Sequence, residues 1–311
     1  MPTSVARVRE ETARRLVEAG LDVPAVEHLV RAALAEDLAG GVDVTSVATI
    51  PFDLAGRAEV VARQSGVLAG LPVAVAVLDV ATDGDLVVSG TVPDGTRVAP
   101  GDAVLTVTGL VRGLLTAERT MLNLLCHLCG VATATRQWAD ALVGTGAVVR
   151  DTRKTTPGLR ALEKYAVRCG GGVNHRMGLS DAALVKDNHV QAAGGVSAAF
   201  RLVRATWPDL GVEVECDTLA QVREVLDAPP HLRPDLVLLD NMALDDMRAA
   251  VVLCRAAGTR TEASGGLSLA TARAVGETGV DFLAVGALTH SAPVLDLGLD
   301  LRADAHPGPG A

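Results

Sequence analysis

Large aromatic side chains are nearly missing from this chain, which has two Trp, one Tyr and three Phe in 311 residues. With 49% hydrophobic residues a sizeable core is still available, and it must be built from Val, Leu and Ala. Long apolar runs are missing as well. Each is broken by charge or glycine well before the roughly 18 residues a membrane-spanning helix needs, so no such helix and no membrane partner is expected. The N-terminus, MPTSVARVREETARRL, is charged, helical in pattern and without an apolar signal core, so the expected location is the cytoplasm. A positive balance is also lacking. A net charge of −9 argues against nucleic acid as a partner and makes any local cation cluster a candidate pocket for small anions. Cysteine gives no framework. Cys126 and Cys129 form a CxxC inside the apolar run MLNLLCHLCGVAT, and no second pair completes a zinc site. With Cys169, Cys216 and Cys254 they read as buried thiols.

Lysine is the scarcest charged residue. Of 28 basic residues only Lys154, Lys164 and Lys186 are Lys, and all three fall between 151 and 190. The absence of any lysine before 154 settles one ambiguity. DGTRVAPGDAVLTVTG resembles a biotinyl or lipoyl carrier strand pair, but a carrier needs a lysine to modify, so that function is excluded. Where Arg is the default, a retained Lys marks a place where a compact point charge fits and a planar fork does not. The same segment carries Arg153, His175 and Arg176.

The pattern divides the chain. Residues 5–38 read as two helices, with Pro24 near the start of the second. From 54 to 110, short alternating runs separated by Pro93-Asp94-Gly95 and Pro100-Gly101 predict a small antiparallel sheet, and a long apolar helix follows at about 112–129. Beyond 140, six apolar runs (AVVRDTRK, AALVKDNH, GVEVEC, DLVLLDN, RTEASGG, DFLAVGA) alternate with helical segments such as PGLRALEKYAVRC. That rhythm predicts parallel strands with crossover helices. The region is too short for the ~250 residues of eight βα units. The expected fold is therefore α/β: an incomplete, about six-stranded barrel over 131–287, preceded by an α+β sandwich domain over 1–130. Segment 288–311 is expected to pack back on the first domain or to be disordered, as the tail ADAHPGPGA suggests.

The ends of these strands collect chemistry. In order they carry Arg153 and Lys154; Lys186, Asn188 and His189; Glu215 and Cys216; Asp240 and Asn241; Glu262, Ser264, Gly265 and Gly266; and Gly286. C-terminal strand ends form the active-site face of α/β barrels, so these residues should converge. The SGG turn and the later VGALTHS turn suit a phosphate approached by backbone N–H groups. Glu215 and Asp240 are hard oxygen ligands suited to Mg²⁺ with a polyphosphate. Arg153, Arg176 and Lys186 would neutralise a second anion, and Lys154 suits a phosphate oxygen. These observations reach a metal–phosphate substrate and an anionic co-substrate, but not the reaction.

The strings DTRKTTPGLRALEKYAVRCGGGVNHRMGLSDAALVKDNH, VEVEC, LLDN, EASGG and VGALTHS, with AEDLAGGVDVTS near the start, resemble quinolinate phosphoribosyltransferase, also called nicotinate-nucleotide pyrophosphorylase (carboxylating). The resemblance implies transfer of the phosphoribosyl group of PRPP to quinolinate with loss of CO₂, in de novo NAD synthesis. It implies quinolinate contacts at Arg119, Arg153, His175, Arg176 and Lys186, with Arg119 supplied by the partner subunit of a homodimer. A hexamer of such dimers with shared sites is the larger assembly it allows. It implies pyrophosphate, Mg²⁺ and ribose contacts at Lys154, Glu215 and Asp240, and a 5-phosphate site at Ser264, Gly265, Gly266 and Gly286. Cys126, His127 and Cys129 make the helix around Arg119 atypical.

Three other readings compete. A ModD-like pyrophosphorylase shares the fold, but the cation set suits a diacid. A non-catalytic nucleotide sensor would have lost an acid or Lys154. A Schiff-base aldolase could use Lys186, yet would not require the arginines and paired acids around it. Lys164 is open between a helix-surface partner of Glu163 and a residue behind the site.

Overall fold

The computed structural model describes residues 7–303. Residues 1–6 and the tail from 304 onward, including most of ADAHPGPGA, lie outside the described residues. Contacts divide the chain into two units. One is built from residues up to 134, residues 157–170 and residues from 292; the other from 135–156 and 171–291. The single cut near 130 read from the pattern thus becomes an interleaved division.

In the first unit, Glu10–Glu18 and Val23–Leu38 are helical, as the charge and apolar spacing predict. Asp22 caps the second by accepting the Ala25 N–H at 2.8 Å, and Pro24 occupies its first turn, where no N–H is needed. The strands are β1 (Ala55–Ala62), β2 (Gly66–Val67), β3 (Leu86–Thr91), β4 (Arg97–Val98) and β5 (Ala103–Leu110). Helix Leu71–Ala81, LPVAVAVLDVA, is apolar nearly all round and correspondingly buried. The predicted apolar helix starts at Val111 but runs to Ala141, well beyond 129.

The second unit supplies six strands: β6 (Val148–Arg150), β7 (Ala183–Val185), β8 (Val212–Cys216), β9 (Leu236–Asp240), β10 (Arg260–Ser264) and β11 (Phe282–Ala284). Every pairing in this sheet is parallel, in the order β6-β11-β10-β9-β8-β7. The first two strands in sequence are thus the two edges, and the barrel is open between them. Helix Arg160–Cys169, which follows β6, clusters with the first unit and not with this sheet. A last strand, β12 (Leu297–Ala303), pairs antiparallel with β1 and completes a four-stranded sheet of order β12-β1-β5-β3 in the first unit.

Period-two alternation gives the parallel sheet two different faces. Val149, Val214, Cys216, Val237, Leu239, Ala263 and Leu283 are buried on one of them. The ladder partners Glu215, Leu238 and Glu262, with Glu213, Asp240 and Ser264 on the same strands, share the other. Barrel interiors are ordinarily filled by branched apolar layers; here the inner face holds four acids.

Candidate active site

Every predicted strand end carries its residues into this unit. Arg153 and Lys154 follow β6, and Lys186 ends β7 as the N-cap of helix Asp187–Ala193. Lys186 Nζ lies 2.5 Å from Glu215 Oε2 on the neighbouring strand. Arg176 donates from Nη1 to the Ala182 carbonyl at 2.8 Å, while the Nε atoms of Arg153 and Arg176 are buried without a hydrogen-bond partner. Burial, followed by the charge of Arg153, pulls the Arg176 guanidinium below its ordinary pKa. Two mutually repelling guanidiniums held this way favour an anion between them.

Asp240 and the glycine turn are locked together by Asn241. Its Nδ2 donates to Asp240 Oδ2 at 2.6 Å, and its backbone N–H to the Ser264 carbonyl at 3.0 Å. Asn241 itself has φ +52°, which Asn tolerates better than most residues. Its carboxamide fills the space a Cβ on Gly265 would take, and Gly265 has φ +82°. Only glycine fits there. At the next turn a Cβ on Gly286 would meet Lys154 Cδ at 2.9 Å and His290 Nε2 at 3.1 Å. Thr289 Oγ1 donates to the Lys154 carbonyl at 2.7 Å. The turn after β11 is therefore built against Lys154. His290, not singled out from the sequence, belongs to the same corner, and its position one turn after Gly286 in VGALTHS was the available signal.

Beneath these groups lies a buried cluster of which strand-end reasoning reaches only Glu262. His175 Nε2 is 2.7 Å from Glu213 Oε2 and 3.8 Å from Glu262 Oε1. Arg150 Nη1 is 2.7 Å from Glu262 Oε2, and its guanidinium lies over the Phe282 ring. Desolvation raises both acids, Glu213 to about 7 against the pull of Arg150, and Glu262 to about 7 with the repulsion of Glu213 added. Glu213 Oε1 and Glu262 Oε1 are both buried without a heavy-atom donor. A proton held by one acid and given to the other closes both. The signal was the alternation in VEVEC and RTEAS, which puts Glu213 beside Glu215 and Glu262 beside Ser264 on the inner face.

Two candidates lie in the other unit. Arg119 is exposed on helix Val111–Ala141. Lys164 is fully buried on Arg160–Cys169, so the surface reading of it is corrected. Neighbouring Glu163 is equally buried and accepts from or donates to His127 at 2.8 Å. An EKY triplet at helical spacing gives no hint that all of 162–167 is enclosed. Among the cysteines, Cys129, Cys216 and Cys254 are buried, Cys126 and Cys169 are half-buried, and none of the five forms a disulfide. Burial raises the pKa of each, keeping them as inert thiols.

Among the described residues, the one group of three or more His, Cys, Asp or Glu spaced for a metal is His175, Glu213 and Glu262. Arg150 already supplies positive charge there. Glu215 and Asp240 are partly exposed carboxylates at strand ends, a donor set that fits Mg²⁺ better, since that ion keeps waters and takes phosphate oxygens. No helix among the described residues is long and apolar enough to cross a membrane.

The profile of the quinolinate phosphoribosyl transferase N-terminal domain matches residues 43–129, and that of the C-terminal domain matches 131–300. The chain belongs to this family. It is 53% identical over 281 residues to the nicotinate-nucleotide pyrophosphorylase [carboxylating] of Mycobacterium leprae, covering 89% of this chain and 97% of that protein. It is 38% identical to its chloroplastic counterpart in Arabidopsis thaliana, over 89% of this chain and 82% of that one. The crystal structure of NadC from Streptococcus pyogenes matches with a TM-score of 0.86 at 38% identity, covering 92% of this chain and 99% of that one. Human nicotinic acid phosphoribosyltransferase, at 15% identity and TM-score 0.58, shares the fold.

Proposed function

We propose that this chain transfers the 5-phosphoribosyl group of PRPP to the ring nitrogen of quinolinate, releasing pyrophosphate and CO₂ and forming nicotinate mononucleotide for NAD synthesis. The observation that carries this reading is one parallel sheet whose strand ends carry Arg153, Lys186 with its Glu215 partner, Asp240 and a glycine turn, with Arg176 in the loop that leads into β7. Quinolinate is a dianion, and the arginines with Lys186 supply charge for both carboxylates. Arg119 of a second copy would complete that set in a homodimer. Lys154 is assigned to the pyrophosphate, and Ser264, Gly265, Gly266 and Gly286 to the 5-phosphate. Glu215 and Asp240 would hold Mg²⁺, which offsets the charge of the polyphosphate.

The chemistry follows from that arrangement. The pyridine nitrogen forms a bond to ribose C1 as the C1–O bond to pyrophosphate breaks, and the electron pair leaves with pyrophosphate. Carboxylates near C1 stabilise the oxocarbenium character of the transition state. The ring nitrogen is then cationic. The bond from C2 to its carboxylate breaks, CO₂ departs, and the pair left on C2 takes a proton. The cation cluster favours the diacid, because a mono-acid leaves part of its positive charge uncompensated.

The test is turnover with PRPP, Mg²⁺ and either quinolinate or nicotinate. Mononucleotide from quinolinate alone is expected, and equal turnover of both acids would overturn the assignment. The shared site is tested by mixing Arg119→Ala with Lys186→Ala. Recovery of activity after subunit exchange supports it, and none despite demonstrated exchange rejects it.

A further inference from the structure

His175 has both ring nitrogens committed inside the chain. The Arg176 backbone N–H points at Nδ1 from 2.7 Å, and a backbone amide can only donate. Nδ1 is therefore bare, the imidazole proton sits on Nε2, and that proton faces Glu213 Oε2 at 2.7 Å. The tautomer follows from the donor and is not a free choice. In this geometry His175 presents no N–H to a ligand, although the resemblance implied a contact with the acid.

Its surroundings explain why so much is spent on one ring. The His175 backbone N–H donates to Asp151 Oδ1 at 2.8 Å, and Asn174 Nδ2 donates to Asp151 Oδ2 at 2.5 Å, with Asp151 fully buried. The chain is thus pinned just before Arg176 by Asp151, and at Arg176 by the imidazole. Glu213 is anchored in turn on β8, beside the Glu262–Arg150 pair.

We infer that Glu213 is a positioning residue for the acceptor acid. It accepts the Nε2 proton of His175 and so enforces the tautomer whose Nδ1 receives the Arg176 N–H. It thereby holds the backbone at Arg176, from which the side chain leaves to place Nη1 on the Ala182 carbonyl. Remove the acceptor and the Nε2 proton loses its partner, so the Arg176 N–H alone is left to oppose the Nδ1 tautomer, which would set two donors against each other. The same Glu213 then acts on Arg176 without touching substrate. The inference rests on the reading of Arg176 as an acid-binding cation, and extends it to a residue that no strand-end argument reaches.

Two measurements test it. The first needs no variant and no turnover. The ¹⁵N shifts of the His175 ring in the intact protein should show a bare Nδ1 and a protonated Nε2. The opposite tautomer overturns the inference, whatever the enzyme acts on. The second compares Glu213→Met with Glu213→Gln by calorimetric titration of quinolinate and by steady-state kinetics. Gln keeps an oxygen acceptor for Nε2 and offers an N–H to the Glu262 oxygen, so it should bind quinolinate within about twofold of wild type. Met fills similar volume without an acceptor and should weaken quinolinate roughly tenfold, with the KM for PRPP unchanged. Equal affinity in all three proteins overturns the inference. If Met prevents folding, the ring tautomer together with the Gln titration still decides it. Should the wild type itself ignore quinolinate, the proposed function fails, and the ¹⁵N result reports separately on the Glu213–His175–Arg176 link.

Discussion

Lys186 Nζ and Glu215 Oε2 are 2.5 Å apart, so a cation assigned to the acceptor acid and a carboxylate assigned to the metal satisfy each other. Ligands must separate them. Glu215→Gln releases Lys186 and should leave quinolinate affinity at least as strong as in wild type, while turnover falls by roughly 10²-fold or more. Binding and kinetics measured on one preparation check this, and parallel losses in both would place the two residues in a single role.

On the proposed reading, Lys154 and Lys186 serve as compact point charges in a crowded site. Lys154→Arg and Lys186→Arg should each lose at least about tenfold in kcat/KM, about 1.4 kcal/mol, with Tm nearly unchanged. Wild-type kinetics in both would make the scarcity of lysine elsewhere an accident of composition.

Lys164 behaves differently, because it is fully enclosed. Lys164→Arg brings a bulkier, planar head into a filled space, and overpacking costs typically 1–3 kcal/mol. The expected outcome is a Tm lower by several degrees, read by calorimetry, with the kinetics of the surviving folded protein retained.

How far the sequence is legible divides along the same line. The six parallel strands are visible because each is a short run closed by charge or by glycine, and Arg153, Lys186, Glu215 and Asp240 follow from their position at those ends. Lys164 is hidden because a lysine beside a glutamate on a helix reads as solvated, and nothing local says that tertiary packing encloses both. Glu213 is hidden because it sits inside a strand, where an acid looks like an interruption, and Glu262, although marked at its strand end, gives no sign of being a partner for a distant histidine. The placement of helix Arg160–Cys169 in the first unit is a long-range choice that its amphipathic pattern does not encode.

Glycine at 265 is required by the Asn241 carboxamide and by φ +82°. Gly265→Ala should raise the KM for PRPP at least about tenfold through displacement of the turn, since strain of this kind costs of order 1–3 kcal/mol. The KM for quinolinate should stay unchanged. A shift in both constants would show that the turn and the cation cluster move as one.

The two buried acids set a pH dependence. An ordinary Glu titrates near 4.5, and burial raises Glu213 and Glu262 to about 7. Between those values the folded state holds a proton that the unfolded chain has released. Stability from this source is present below about pH 4.5 and is lost as pH rises through about 7. Tm should therefore decline across that window, and Glu213→Gln should flatten the decline. A Tm that climbs over the same window in wild type, or an unaltered slope in the variant, would count against the shared proton.

Arg63 and Asp300, 237 residues apart, are bridged at 2.5 Å along the seam where β12 joins β1. In order of synthesis, all six strands of the parallel sheet leave the ribosome before the strand that finishes the four-stranded one. One edge of β1 thus stays open until all six strands of the parallel sheet have been made, and the unit begun first closes after them. A nascent chain of this protein carries that unpaired edge, with its aggregation hazard, through the whole translation of its barrel.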